Sequence, residues 1–90
     1  MSKLERARIE INRIDKEMAK LFEERMRAVE DVIGYKIENN MEILDSKREK
    51  EVIEKNKEFI TEQKYKKYYV DFIINMMKIS KEYQKDISEK

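Results

Sequence analysis

A single helical period runs through the first two fifths of the chain, from about Leu4 to about Asn39. Apolar side chains recur there at alternating spacings of three and four residues, no proline breaks the pattern, and Gly34 is the one weak point. At 1.5 Å per residue such a helix is ~54 Å long, whereas a small domain is only ~30 Å across. Because a chain of 90 residues also buries only a modest fraction of its surface alone, we expect a core shared between chains.

A second, shorter helix is predicted after a turn at residues 39–44. It ends at about Glu58, and its start has two interpretations. Ser46 with Glu49 forms the S-x-x-E pattern of a capping box, while Asp45 is an equally good N-cap. The two interpretations place the start of the helix one residue apart.

The last part of the chain is predicted to form a third helix over roughly residues 65–88, after a polar connection at residues 61–64. Two uncharged polar residues, Ser80 and Gln84, interrupt its apolar face one turn apart. The chain contains no internal repeat, no low-complexity tract and no linker long enough to separate domains. The pattern predicts an all-α fold with a long, a short and a medium helix in a single domain, 1–90.

The composition excludes several classes of function. The 21 basic and 20 acidic residues nearly cancel, which argues against nucleic-acid binding. The chain has no cysteine and no histidine, so we expect no disulfide, no thiol or imidazole catalysis, no metal site of the usual kind and no cofactor. We also find neither a signal peptide nor an apolar stretch long enough for a membrane span, and we expect a cytoplasmic protein that does not contact a membrane.

A cation, Arg25, lies in the apolar stripe of the long helix, where a leucine would be expected. Its neighbours one turn away are Leu21, Phe22, Ala28 and Val29. One interpretation is a helix residue whose charge reaches solvent or pairs with a nearby carboxylate. The other is a cation that binds an anionic ligand between helices.

Two further cations, Arg8 and Lys36, share the heptad seam with Arg25. Arg25 and Lys36 are ~16 Å apart along the axis, so their long side chains can hold one small ligand between them. Arg8 lies ~25 Å from Arg25 and, if it serves the same site, must come from a second copy of the chain. The alternative for Arg8 is an ordinary ion pair, for example with Asp15.

Two other polar groups are candidates for the same site. Asp45, Arg48 and Glu49 surround the start of the second helix, where free N–H groups and a bidentate donor suit an anion or a hydroxyl, although capping alone explains the pattern. Ser80 and Gln84 either satisfy one another or face a ligand. Together these residues favour a small dicarboxylate that carries a hydroxyl, and they offer orientation and electrostatic stabilisation rather than a nucleophile.

The same residues occur in motifs of a known family, and the chain resembles the all-helical chorismate mutases of the AroQ class. The motifs follow in order: R-x-x-I-x-x-I-D at Arg8 to Asp15, L-F-E-E-R-M ending at Arg25 and Met26, Y-K at Tyr35 and Lys36, D-S-x-R-E at Asp45 to Glu49, and S-K-x-x-Q at Ser80 to Gln84. Each motif alone is weak evidence for the family, whereas all of them in order at these spacings are specific evidence for it. One departure is Ser46, which stands where a proline is common in the family.

The resemblance implies an intertwined homodimeric helical bundle with two equivalent sites, each completed by Arg8 of the other chain. The implied reaction is the Claisen rearrangement of chorismate to prephenate, a step of the shikimate pathway toward phenylalanine and tyrosine, without a covalent intermediate. Chorismate is then the small-molecule partner. The implied substrate contacts are Arg8, Arg25, Lys36, Asp45, Arg48, Glu49, Ser80 and Gln84.

Within that set the resemblance implies separate roles. Arg8, Arg25 and Arg48, helped by Ser80, grip the two carboxylates of chorismate. Lys36 and Gln84 donate to the ether oxygen, so the expected catalytic residues are Lys36, Gln84 and Arg25. Glu49 and the backbone near Asp45 accept from the ring hydroxyl.

Two other functions remain open on the sequence. A related isochorismate pyruvate lyase uses a similar cation-lined pocket, although Glu49 and Ser80 favour the mutase. A non-catalytic helical dimerisation module is the alternative from another class. It predicts that Arg25→Leu stabilises the protein without functional loss, whereas the enzyme hypothesis predicts a stable but inactive protein.

Overall fold

The computed structural model describes residues 1–43 and 45–89. Those residues form three α-helices and one short 3₁₀ turn, with no strand: α1 Lys3–Glu38, α2 Ser46–Lys57, the turn Gln63–Tyr65 and α3 Lys66–Ser88. The predicted all-α fold with a long, a short and a medium helix is confirmed.

The long helix α1 is bounded by specific caps at both ends. The Ser2 hydroxyl accepts from the Glu5 N–H at 3.1 Å. At the other end Asn40 adopts a left-handed conformation with φ 52°, and the Met41 N–H donates to the Lys36 carbonyl at 2.8 Å. This is a Schellman motif, in which asparagine is one of the few residues other than glycine that tolerates the left-handed position.

The start of α2 uses the second of the two predicted caps. Asp45 is the N-cap, and its Oδ1 accepts from the Arg48 N–H at 3.0 Å. The capping-box interpretation with Ser46 as the cap is therefore wrong. Glu49 lies in the first turn, where its charge complements the helix dipole. Of the predicted turn before α2, Leu44 lies outside the described residues.

The helix α3 is the centre of the chain, since both α1 and α2 pack against it. The buried apolar side chains are Ile33 of α1 and Ile73 and Met77 of α3, with Ser80 buried beside them. This core is small, and it lies at the C-terminal end of α1. The fold therefore brings the polar interruptions of α3 next to the last turns of the long helix.

The N-terminal two thirds of α1 extends beyond this core. Every residue from 1 to 24 is exposed, including apolar seam residues such as Ile11 at 54% and Phe22 at 43%. The molecule measures 56 × 27 × 15 Å and has a radius of gyration of 16.5 Å. A compact chain of this length has a radius of gyration of ~12 Å. The single chain thus leaves most of its longest apolar stripe uncovered.

Candidate active site

A cavity of about 190 Å³ lies where α1, α2 and α3 approach one another. Its apolar wall includes Val29 and Val32 of α1, Val52 of α2 and Met77 of α3. Seven of the eight predicted site residues line it: Arg25, Lys36, Asp45, Arg48, Glu49, Ser80 and Gln84. Residues that are far apart in the sequence therefore converge on one small space.

Arg25 is half-buried, and its guanidinium points at α3. Its Nη1 donates to the Ser80 hydroxyl at 2.7 Å, and that hydroxyl donates to the Met76 carbonyl at 3.0 Å. Within residues 1–43 and 45–89 no carboxylate forms an ion pair with Arg25. The cation in the packing stripe is thus held in place by a neutral hydroxyl and has no anion in the described chain.

Lys36 reaches the cavity from the last turn of α1. Its Nζ donates to the Ile43 carbonyl at 3.0 Å, which ties the segment after the helix to the helix end. Neither Lys36 nor Arg48 forms an ion pair with a carboxylate in the part of the chain that the structure describes. The cavity therefore has three cations without a charged partner there, which favours an anionic ligand.

Gln84 differs from Ser80 in how its polar atoms are satisfied. Its Oε1 is buried and has no hydrogen-bond partner among the described residues, whereas Ser80 is bonded to Arg25 and Met76. The two residues therefore do not satisfy one another. An unsatisfied buried amide costs free energy, and a half-turn about its last bond presents either oxygen or NH₂ to a ligand.

The start of α2 brings charged side chains to the cavity and also contains the N-cap of the helix. One Asp45 oxygen is used by the helix cap, while the Arg48 side chain stays exposed at the edge of the cavity. Glu49 is paired with Lys81 of α3, with 2.7 Å between Lys81 Nζ and Glu49 Oε1. Lys81 also lines the cavity. The sequence did not identify it, because a lysine beside an apolar helix face is typical of the solvated surface.

Arg8 is the one predicted site residue that lies away from the cavity in this chain. It lies in the exposed part of α1, about 25 Å from Arg25 along the helix axis, and it does not line the cavity. It forms no ion pair with a described carboxylate, so the alternative of an ion pair, for example with Asp15, is not seen in this chain. Its place in the site stays a prediction.

A tyrosine next to the site joins α3 to α1. The Tyr83 hydroxyl donates to Glu30 Oε1 at 2.6 Å. Because a carboxylate acceptor favours the protonated phenol, this bond raises the pKa of Tyr83 above its ordinary value. The phenol therefore stays neutral throughout the physiological range, and the bond joins α3 to α1 at the residue before Gln84.

A larger cavity of about 630 Å³ lies on the outer side of the segment after α1. It is an open groove whose walls include Met41, Ile43 and three lysines of α3: Lys78, Lys81 and Lys85. Its size does not make it the better candidate, because no buried polar atom without a partner lines it within residues 1–43 and 45–89. The smaller cavity is lined by Arg25, Lys36 and Arg48 and by Gln84, whose buried Oε1 has no partner among the described residues.

Residues 1–43 and 45–89 contain neither a candidate metal site nor a candidate membrane-spanning helix. Acidic side chains there do not gather in groups of three or more that would hold a metal ion. None of the helices in this part of the chain combines the length and the apolar character needed to cross a bilayer.

The sequence of the chain matches a known family over most of its length. A sequence model of the family described as chorismate mutase type II matches residues 7–85. Searches of curated proteins and of solved structures gave no significant match. The chain belongs to the chorismate mutase type II family, and the resemblance inferred from its motifs is confirmed.

Proposed function

We propose that this member of the chorismate mutase type II family is an isomerase that converts chorismate to prephenate. The observation that carries the proposal is the cavity between the helices, where Arg25, Lys36 and Arg48 converge without a carboxylate partner in the described chain. Chorismate is a dianion with a ring hydroxyl, and the cavity also offers Glu49 as an acceptor. Charge and hydrogen-bonding capacity therefore match the ligand.

Binding is the first contribution of the site. Arg25 and Arg48 bind the substrate carboxylates, because a guanidinium presents two parallel N–H groups to one carboxylate. Ser80 orients Arg25 through the 2.7 Å hydrogen bond and helps to hold the substrate. Binding both carboxylates of the flexible chorismate selects the folded conformer in which the new C–C bond forms. This selection lowers the entropic part of the activation barrier.

Electrostatic stabilisation is the second contribution. As the ether C–O bond breaks, negative charge builds on the ether oxygen, and Lys36 and Gln84 donate to it. This charge exists only in the transition state, so these donors lower the barrier without tightening substrate binding equally. Glu49 and the backbone near Asp45 accept from the ring hydroxyl. No proton has to move and no covalent intermediate forms.

We further propose that the active unit is a homodimer whose two α1 helices pair along their exposed seams. The seam of residues 1–24 is apolar at helical spacing yet uncovered in the single chain. The cavity of about 190 Å³ is also smaller than the ~300–1,000 Å³ of typical ligand pockets, in keeping with a site that a second chain completes. Arg8 of that second chain supplies the remaining contact to a carboxylate.

A direct assay tests the proposed function. The purified chain is incubated with chorismate, the loss of chorismate absorbance is followed, and the product is identified as prephenate. A parallel reaction with isochorismate is assayed for pyruvate. We expect prephenate and no pyruvate. Pyruvate from isochorismate without prephenate from chorismate would instead identify a lyase, and no turnover of either compound would favour a non-catalytic dimerisation module.

A further inference from the structure

One ion pair in the described chain differs from the others. The pair between Lys81 Nζ and Glu49 Oε1, 2.7 Å apart, joins α3 to α2. The other ion pairs in residues 1–43 and 45–89 each join residues three or four positions apart. Both partners line the proposed active site, and their side chains are 36% and 32% exposed. The pair therefore bridges two helices that border the cavity.

The pair lies at the first turn of α2, beside the proposed substrate contacts. Part-exposed ion pairs contribute little to the free energy of unfolding. α2 has no buried residue, so little packing restrains the side chains of its first turn. Glu49 shares the cavity with Arg25 and Arg48, which lack a carboxylate partner in the described chain. Without Lys81, the cations that share the cavity with Glu49 are Arg25, Lys36 and Arg48.

We propose that Lys81 is a positioning residue that acts on the substrate through Glu49. Lys81 holds Oε1 of Glu49 by a charge-assisted hydrogen bond and leaves Oε2 to accept from the ring hydroxyl. It also offsets the carboxylate charge and keeps Glu49 away from Arg25 and Arg48. The proposal rests on the proposed function, because it names a further residue that determines substrate binding at the same site.

The first test compares steady-state kinetics of Lys81→Met, Lys81→Arg and Lys78→Met. Lys78 is a matched control, since it is an exposed lysine on α3 that does not line the active-site cavity. In Lys81→Met the released Glu49 competes for the arginines, so we expect KM to rise roughly tenfold with a much smaller change in kcat. Lys81→Arg restores KM, because it keeps the charge, and Lys78→Met behaves as wild type. An unchanged KM in Lys81→Met overturns the proposal.

The second test asks whether Lys81 acts through Glu49. In a Glu49→Gln background the competing carboxylate is gone, so adding Lys81→Met should change kcat/KM by less than about twofold. Independent, multiplicative losses from the two substitutions would instead mean that Lys81 touches the substrate directly or supports the fold, and would overturn the proposal.

Two further measurements distinguish a structural role of Lys81 from a failure of this inference or of the proposed function. Thermal melting is measured for every variant, and a loss of activity that follows the melting temperature and is not rescued by Lys81→Arg shows a structural role and overturns the proposal. If wild type rearranges chorismate and Lys81→Met does so with the same KM, only the role of Lys81 is wrong. If wild type does not act on chorismate, the proposed function fails and this inference fails with it.

Discussion

Arg25 is poorly placed for packing, and we propose that it is placed for ligand binding. An arginine in an apolar stripe costs burial free energy unless its N–H groups find acceptors. Here the Ser80 hydroxyl satisfies one of them at 2.7 Å, and no carboxylate in the described chain neutralises the charge. The residue is therefore oriented but not neutralised, as a ligand-binding cation must be.

Replacing Arg25 by leucine tests this view. Ser80 keeps its hydrogen bond to Met76 in Arg25→Leu, so we expect the free energy of unfolding to change by no more than about 1 kcal/mol. We expect kcat/KM for chorismate to fall at least ~100-fold, because a carboxylate loses its charged partner. Denaturant unfolding and kinetics measure the two effects. Arg27→Leu is the matched control, since Arg27 is an exposed arginine of the same helix that pairs with Glu23.

Retained activity in Arg25→Leu together with higher stability would contradict the enzyme hypothesis. That outcome is what a non-catalytic dimerisation module predicts, because there the arginine would only weaken a packing face. A large loss of stability in Arg25→Leu would instead assign the residue to the fold.

The neutral side chain of Gln84 leads to a prediction about how kcat/KM depends on pH. A neutral amide does not titrate, so we expect the kcat/KM of wild type to be nearly constant from pH ~5 to pH ~8. In Gln84→Glu the carboxyl, with an ordinary pKa of about 4.3, is ionised in that range and opposes the charge that develops on the ether oxygen. Activity of the variant should therefore rise as pH falls through the titration of this carboxyl. Gln63→Glu, in the short turn before α3, is the control and should keep the flat profile.

At the scale of the helices, capping matters most for α2. This helix has no buried residue, whereas α1 and α3 each contribute to the core. Its N-terminal end carries Arg48 and Glu49, and that end is held by the Asp45 cap and by the Lys81 pair. The least buried helix thus presents two of the proposed substrate contacts.

Removing the cap should affect both stability and binding. We expect Asp45→Ala to lower the free energy of unfolding by about 1 kcal/mol and to raise KM, because the first turn of α2 frays. Asp45→Asn is the matched variant, since asparagine caps as well as aspartate, and it should keep both properties close to wild type. Chemical unfolding and steady-state kinetics measure them. An equal loss in both variants would mean that the charge of Asp45, not its cap, is what the site needs.

At the scale of the whole molecule, the single chain leaves the long apolar stripe of α1 uncovered. Its radius of gyration is 16.5 Å, and residues 1–24 expose the apolar seam of α1. Apolar stripes of this length are normally covered by another surface. We propose that a second copy lies with its α1 along this seam, so that both stripes are covered at once and its Arg8 is supplied to the cavity.

Mixing two inactive variants tests the shared site. Arg8→Ala and Lys36→Ala are each expected to lose most activity as pure dimers. In a mixed dimer one site contains both substitutions and the other contains neither, so a fully exchanged equal mixture should recover about one quarter of wild-type activity. Subunit exchange is verified with a chain that carries a mass tag. Exchange without recovered activity would exclude Arg8 from the site of a partner chain.

The helices and their lengths were predictable from the sequence alone, because periodicity and capping residues act over a few neighbouring positions. The same holds for Arg25, whose charge is visible against its apolar neighbours. The motifs also identified the family, which the match over residues 7–85 confirms. The eight site residues and the dimer stay predictions.

Only the tertiary structure decided between alternatives that the local pattern left open. It bonded Ser80 to Arg25 rather than to Gln84. It also revealed the pair between Lys81 and Glu49. Arg25 and Ser80 are 55 positions apart, and a hydrogen bond over that separation depends on how helices pack rather than on any local pattern. The sequence determined which candidate site residues the chain contains, and the packing of the helices determined which of them are in contact.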